Sequence, residues 1–394
     1  MLTRRSALLG LTTAVTLGRV SLAVAAAATE QRLVVVLLRG ALDGMAAVVP
    51  YGDPALGELR GALLPPAAGQ PNGLLDLGGF YGLHPELTGL HAMYRANELL
   101  PVHAVAGPYR VRSHFEGQDY LESGTDHRLT SGWLNRAVQA LPGTTAARAK
   151  DAALSIGVEV PLLLRGAARV GSWAPPGRVT VPPALYTQIA KLTRTDPVIG
   201  PAVREGLQGR GFSSAIMAGD ADPGRDRYAF PALAKAAGEL LHAADGPRVA
   251  ALELVGWDTH VAQTPRLTYV LRQLDAGLVA LKAALGPAWQ RTAVMVMTEF
   301  GRTARINGTM GTDHGTASVA LVLGGAVAGG RVLADWPGLG AGKLFEDRDL
   351  APTTDLRAVV KGVLAQHLGL AEASLRQVFP GSGGVTGIPG LIRA

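Results

Sequence analysis

Arg32-Leu-Val-Val-Val-Leu-Leu-Arg39-Gly-Ala-Leu-Asp43-Gly44 opens with an unbroken apolar run and closes on an acid just past a glycine. A run of this kind reads as a strand covered on both faces, the habit of parallel sheets. Working outward, similar runs recur at Leu100–Ala106, Ala153–Gly157, Pro161–Leu164, Arg248–Val255, Thr292–Thr298 and Ser318–Gly324. Between them lie segments of helical period. Leu87–Leu99, Pro231–Ala243, Pro265–Leu285 and Asp355–Leu368 are expected helices. In the third, Leu267, Leu271, Leu274, Leu278 and Leu281 fall on one face. Ser113 followed by Glu116 predicts a capping box at the start of another helix. The alternation predicts an α/β fold: a mainly parallel central sheet with helices on both faces.

The first 28 residues read as a separate element. Arg4 and Arg5 precede an apolar stretch from Leu8 to Leu17, and Ala23-Val-Ala25 offers a cleavage pattern. This is the layout of a twin-arginine signal peptide. The competing reading is an uncleaved membrane anchor, but Arg19 breaks the run short of the ~20 residues that a span needs. The expectation is therefore export by the twin-arginine (Tat) translocase to the periplasm or beyond, with residues 29–394 as one domain and no permanent membrane span. The formal charge of +6 loses three of the 37 basic residues with the signal and none of the 31 acidic ones, leaving about +3. A balance so small, with scattered arginines, argues against nucleic acid as a partner. The chain has no cysteine, which excludes thiol catalysis, disulfides and zinc–cysteine sites.

In open α/β sheets ligands bind beyond the carboxyl ends of the strands. Asp43 follows the first strand, Asp258 and His260 follow Arg248–Val255, and Glu299 follows Thr292–Thr298. Asp313 and His314 sit between glycines just before the next strand. Acids and imidazoles together form a ligand set for a divalent metal. A lone acid after a strand also serves as an ordinary turn or helix cap. Ser113 is either a plain N-cap or a nucleophile at a helix N-terminus, where exposed amides favour an anion. Arg112 and His114 flank it.

Five motifs, taken together and in order, resemble one bacterial family. They are Leu38-Arg-Gly-x-x-Asp43-Gly, Arg112-Ser-His-Phe-Glu-x-Gln-Asp-Tyr120, Gly256-Trp-Asp-Thr-His260, Glu299-Phe-Gly-Arg-Thr303 and Gly311-Thr-Asp-His-Gly315. From about Leu33 to Phe379 the chain resembles the domain of unknown function 1501 family, whose members carry twin-arginine signals and are placed in the alkaline-phosphatase-like superfamily. The resemblance implies a metal site at the carboxyl end of the sheet. It implies Asp43, Asp258, His260, Glu299, Asp313 and His314 as metal-site residues and Ser113 as nucleophile. Arg302 or Arg112 is the expected clamp on the anion, Arg302 as a catalytic residue. Arg112 and His114 are expected to bind substrate. One or two ions of zinc, manganese, magnesium or calcium are implied. Phe300 departs from the superfamily pattern, standing where a histidine is usual.

The expected function is a secreted, metal-dependent hydrolase of phosphate or related esters, on a small-molecule or polymeric substrate. The alternative is a non-catalytic exported envelope or assembly protein on a degenerate phosphatase-like fold. A carbohydrate or lipid binder draws only on Trp133, Trp173 and Trp257, which core and rim packing explains more simply.

Overall fold

A computed structural model describes residues 30–141, 152–157, 159–175, 188, 189, 191–193, 203 and 229–394. The signal segment read at residues 1–28 lies outside the described residues. Among the described residues eleven strands form: β1 Arg32–Arg39, β2 Val48–Val49, β3 Leu75–Asp76, β4 Gly82–Leu83, β5 Leu99–Ala106, β6 Ala153–Ile156, β7 Val170–Trp173, β8 Val249–Val255, β9 Thr292–Thr298, β10 Ser318–Leu323 and β11 Thr354–Asp355. The helices are α1 Gly44–Ala47, α2 Leu56–Arg60, α3 Thr88–Arg95, α4 His114–Ser123, α5 Trp133–Gln139, α6 Phe230–His242, α7 Gln263–Leu285, α8 Leu356–Leu368 and α9 Glu372–Val378.

The main sheet has eight strands in the order β11-β5-β10-β9-β1-β8-β6-β7, and β2, β4 and β3 form a small second sheet. β1 is central and runs parallel to both β8 and β9. β6 extends the parallel set from β8 to β7. β10 pairs antiparallel with both β9 and β5, while β11 is parallel to β5. The sheet is thus mixed and mostly parallel, with helices, as expected.

Successive side chains of β1 point to opposite faces, and each face is covered. Val34, Val36 and Leu38 pack into one apolar layer with Leu240 of α6 and Leu271, Leu274 and Leu278 of α7. Leu33, Val35 and Leu37 pack into the other with Trp133 of α5, Val359 and Val363 of α8, and Phe379. Leu267, Leu271, Leu274, Leu278 and Leu281 are all buried, so the helical stripe read in the sequence is the face of α7 that enters the core.

Three local expectations are corrected. Leu87–Leu99 is not one helix: α3 ends at Arg95, Asn97 adopts a left-handed φ of 59°, and the chain enters β5 at Leu99. The last apolar residues belong to the strand. Pro161–Leu164 is not a strand but leads into a 3₁₀ turn over Leu162–Leu164. There the amide of Leu163 donates to the buried Glu122 carboxylate instead of to a ladder. The capping box at Ser113 is absent, because the serine side chain makes no cap hydrogen bond.

This topology decides where the chemistry sits. β9, β1 and β8 are parallel neighbours, so Glu299, Gly40 and the Gly256–His260 loop emerge side by side at one sheet edge. β10 runs the other way, so its leading loop, with Asp313 and His314, reaches the same edge.

Candidate metal centre

Two glycines let the backbone segments meet. Gly40 adopts a φ of +119°, and a Cβ there would stand 2.7 Å from the amide nitrogen of Asp258. A Cβ on Gly311 would stand 2.1 Å from the carbonyl oxygen of His260. Only glycine fits such close approaches.

Asp258 is the focus. Its Oδ1 lies 3.4 Å from His114 Nε2, 3.1 Å from His260 Nε2 and 3.2 Å from His314 Nε2. Arg302 Nη1 donates to the same oxygen at 2.8 Å. His114, Asp258 and His314 each offer a ligand atom within 4.8 Å of the others. His260 Nε2 borders them, 2.9 Å from His314 Nε2.

The partners of the opposite ring nitrogens fix the tautomers. His114 Nδ1 faces Glu299 Oε1 at 2.8 Å. His314 Nδ1 faces the carbonyl oxygen of Arg112 at 2.7 Å. His260 Nδ1 faces Asp313 Oδ1 at 3.0 Å. A carbonyl accepts and never donates, and an ionised carboxylate does the same. Burial pushes the Glu299 carboxyl up, but hydrogen bonds led by that of His114 hold it below the usual range. Hydrogen bonds from Asn307 and His260 hold Asp313 low. Each Nδ1 therefore donates, and each Nε2 is left with a lone pair turned toward Asp258. Burial raises the Asp258 carboxyl, and the N–H and charge of Arg302 more than offset it, so this group too is ionised.

Four acceptors converging on one point need a positive charge between them. His114 Nε2 is buried and has no hydrogen-bond partner among the described residues. Ligand atoms held roughly 2.0–2.1 Å from a tetrahedral ion stand about 3.3 Å apart, close to the three Nε2–Oδ1 separations. Imidazoles whose far nitrogens are bonded to carboxylates or carbonyls are the usual metal ligands. The donor set fits a divalent ion. The Glu299 hydrogen bond, against the pull of burial, raises the pKa of the His114 imidazole. His314 is shifted down, chiefly by burial.

The expected site residues are sorted by this geometry. Asp258, His260 and His314 come together. His114, expected on substrate, joins them as a ligand candidate. Glu299 and Asp313, expected as metal ligands, stand behind imidazoles and orient them. Asp43 takes a different partner: it is buried and ion-paired to Arg60 Nη1 at 2.5 Å, with Gln263 Nε2 at 2.7 Å on the same oxygen. Arg302 is not an open clamp. Its side chain is fully buried and bonds Asp258 and both oxygens of Thr312. The Arg112 guanidinium is likewise held by Asp349 and Glu346, and its carbonyl is what serves the site. Ser113 precedes His114 at the start of α4 with its hydroxyl free of any cap bond.

Phe300 explains the role of His114. Its ring stacks on His114, with centroids 5.1 Å apart, and lies 5.2 Å from that of His314. This apolar residue thus braces two imidazoles. Sequence reading missed Gln118, which donates to Glu299 Oε1 at 3.1 Å, and Asn307, which donates to Asp313. Gln118 stands in the motif from Arg112 to Tyr120, but nothing local ties it to Glu299, and no pattern marks Asn307.

The fold and cluster define a mixed α/β protein with a histidine–aspartate centre at the carboxyl edge of its sheet. A family model described as protein of unknown function (DUF1501) matches residues 97–379, and the chain belongs to that family. The match leaves the motif around Asp43 outside its range. A solved structure from Vibrio parahaemolyticus, described as a protein in the alkaline phosphatase superfamily, is 11% identical, with a TM-score of 0.33. The alignment covers 79% of this chain and 64% of that one, so the chain spans under two thirds of its length. No curated protein matches the chain.

Proposed function

We propose that the chain is a hydrolase of phosphate or related esters that works with one divalent ion. The observation that supports this reading is the convergence of three lone-pair Nε2 atoms on Asp258 Oδ1. His114, His314 and Asp258 would hold the ion, with His260 beside them. An imidazole-rich set favours zinc or a similar borderline ion over magnesium or calcium. Bound there, the ion would supply the positive charge that lowers the pKa of a hydroxyl and steadies charge on the ester oxygens.

The protein's own groups do the rest. Ser113 Oγ is the nucleophile. The first-turn amides of α4, which no side chain caps, face the anion and stabilise developing charge. Arg302 keeps Asp258 ionised and pointed inward. Glu299, Asp313 and the Arg112 carbonyl hold the three rings in their tautomers. Among the described residues no helix is long and apolar enough to cross a membrane. Arg4 and Arg5 support passage through the Tat translocase, with residues 29–394 acting outside the cytoplasm.

The pairing of Asp43 with Arg60 favours a second reading, a non-catalytic exported assembly protein, because it removes a carboxylate from any second ion. The experiment is hydrolysis of p-nitrophenyl phosphate and bis(p-nitrophenyl) phosphate by zinc-loaded protein. Activity that falls at least about a hundredfold in Ser113→Ala, with metal content unchanged, is the expected result. Metal-loaded protein that hydrolyses neither ester, yet retains a stoichiometric protein partner, selects the second reading.

A further inference from the structure

At the N-terminal turn of α7 lies a cleft of about 280 Å³ that the proposed chemistry does not use. Its walls are mostly apolar, formed by Leu63, Leu64, Pro65, Pro66 and Leu267. His84 lines it and is only 7% exposed. Its Nδ1 accepts the amide of Glu86 at 3.3 Å, which places the ring proton on Nε2. That Nε2 has no hydrogen-bond partner among the described residues. Burial lowers the His84 pKa to about 4, so the ring is a neutral donor at pH 7.

Asn72, Thr264 and Thr268 add uncharged polar groups to the walls, and the two remaining polar groups are engaged elsewhere. Gln263 spends its amide on Asp43, Thr259 and Thr312. Glu86 is paired with Arg272. A charged ligand therefore meets no unpaired opposite charge on either of them. An uncharged acceptor meets the free N–H of a ring that is otherwise largely buried. A concave, largely apolar site with a convergent polar group is the usual form of a small-molecule pocket.

We propose that this cleft binds an uncharged, mainly apolar ligand group that presents one hydrogen-bond acceptor to His84 Nε2. The inference stands apart from the metal centre and does not depend on it. The test is fluorescence titration of the full chain with two probes. Nile red is uncharged and carries a carbonyl acceptor; diphenylhexatriene is a hydrocarbon without one. Both are expected to bind saturably. His84→Leu should weaken Nile red up to about tenfold, the loss of one hydrogen bond, and leave diphenylhexatriene unchanged. Thr268→Trp, which fills the cleft from α7, should abolish both. Leu64→Trp does the same from another segment if the first variant does not fold. Absence of saturable binding, or binding that survives a folded cleft-filling variant, overturns the proposal. So does an equal loss of both probes in His84→Leu.

Discussion

Glu299 shows how the centre works at the scale of a residue. Its Oε1 accepts from the amide of Gly40, from His114 Nδ1 and from Gln118 Nε2, while its Oε2 accepts from Thr298. A carboxylate so fully bonded is a fixed post against which an imidazole is set. Glu299→Gln removes the charge and leaves the shape. It should lower metal affinity about 10–100-fold, read by competition with a chelator, whereas unchanged affinity would mean that Glu299 does not set the His114 ring. In the sequence, Asp258, His260, Glu299 and His314 stood out because strand ends and glycine-flanked loops flag them. Their division into metal-facing and supporting residues did not. That depends on contacts such as His114–Glu299, 185 residues apart, and no local pattern encodes them. Asp43 looked like Asp258 by the same signal, and only its contact with Arg60 separates the two.

At the scale of elements, the site depends on strand direction. The parallel set β9-β1-β8 was legible from its continuous apolar runs, because burial on both faces leaves that mark. The antiparallel course of β10 was not legible, since a buried strand reads alike in either direction. Yet it is the reversal that brings His314 to the site from the start of a strand. The tight junction between β1 and the loop after β8 is set by Gly40. Gly40→Ala forces a side chain into a left-handed φ and against the Asp258 backbone. A loss on the order of 1–3 kcal/mol, measured by chemical denaturation, is expected together with weaker metal binding. Full stability and affinity in that variant would show that the junction has slack. The α3–β5 boundary and the 3₁₀ turn at Leu162–Leu164 escaped sequence reading because apolar residues there serve the core in more than one backbone form.

Across the whole molecule, two apolar layers enclose the sheet and trap neutral histidines. His103 is fully buried. Its Nε2 donates to the Val48 carbonyl, and its Nδ1 accepts the amide of Ala104, so a second proton has no place to go. Burial lowers its pKa to about 4 from the ordinary 6.5. Above pH 6.5 the ring is neutral whether folded or unfolded, and the stability is complete. Between pH 6.5 and 4 the unfolded chain binds the proton first, so stability falls as pH falls, and it levels off below 4. The span is worth on the order of 3 kcal/mol. Denaturation midpoints measured from pH 7 to pH 4 should drop over this window, and less steeply in His103→Gln. Identical slopes in the two proteins would remove His103 as a cause. The sheet, its covered faces and its chemical edge are thus consequences of sequence pattern, while the partner of each buried polar group is a property of the assembled molecule.

The most direct test of the centre is metal analysis after equilibrium dialysis against zinc, made on the wild-type chain and on His114→Ala. About one tightly held ion per wild-type chain is expected, with loss of that ion in a folded His114→Ala variant. A wild-type chain that retains no ion, or a His114→Ala variant that retains as much as the wild type, would contradict this reading of the centre.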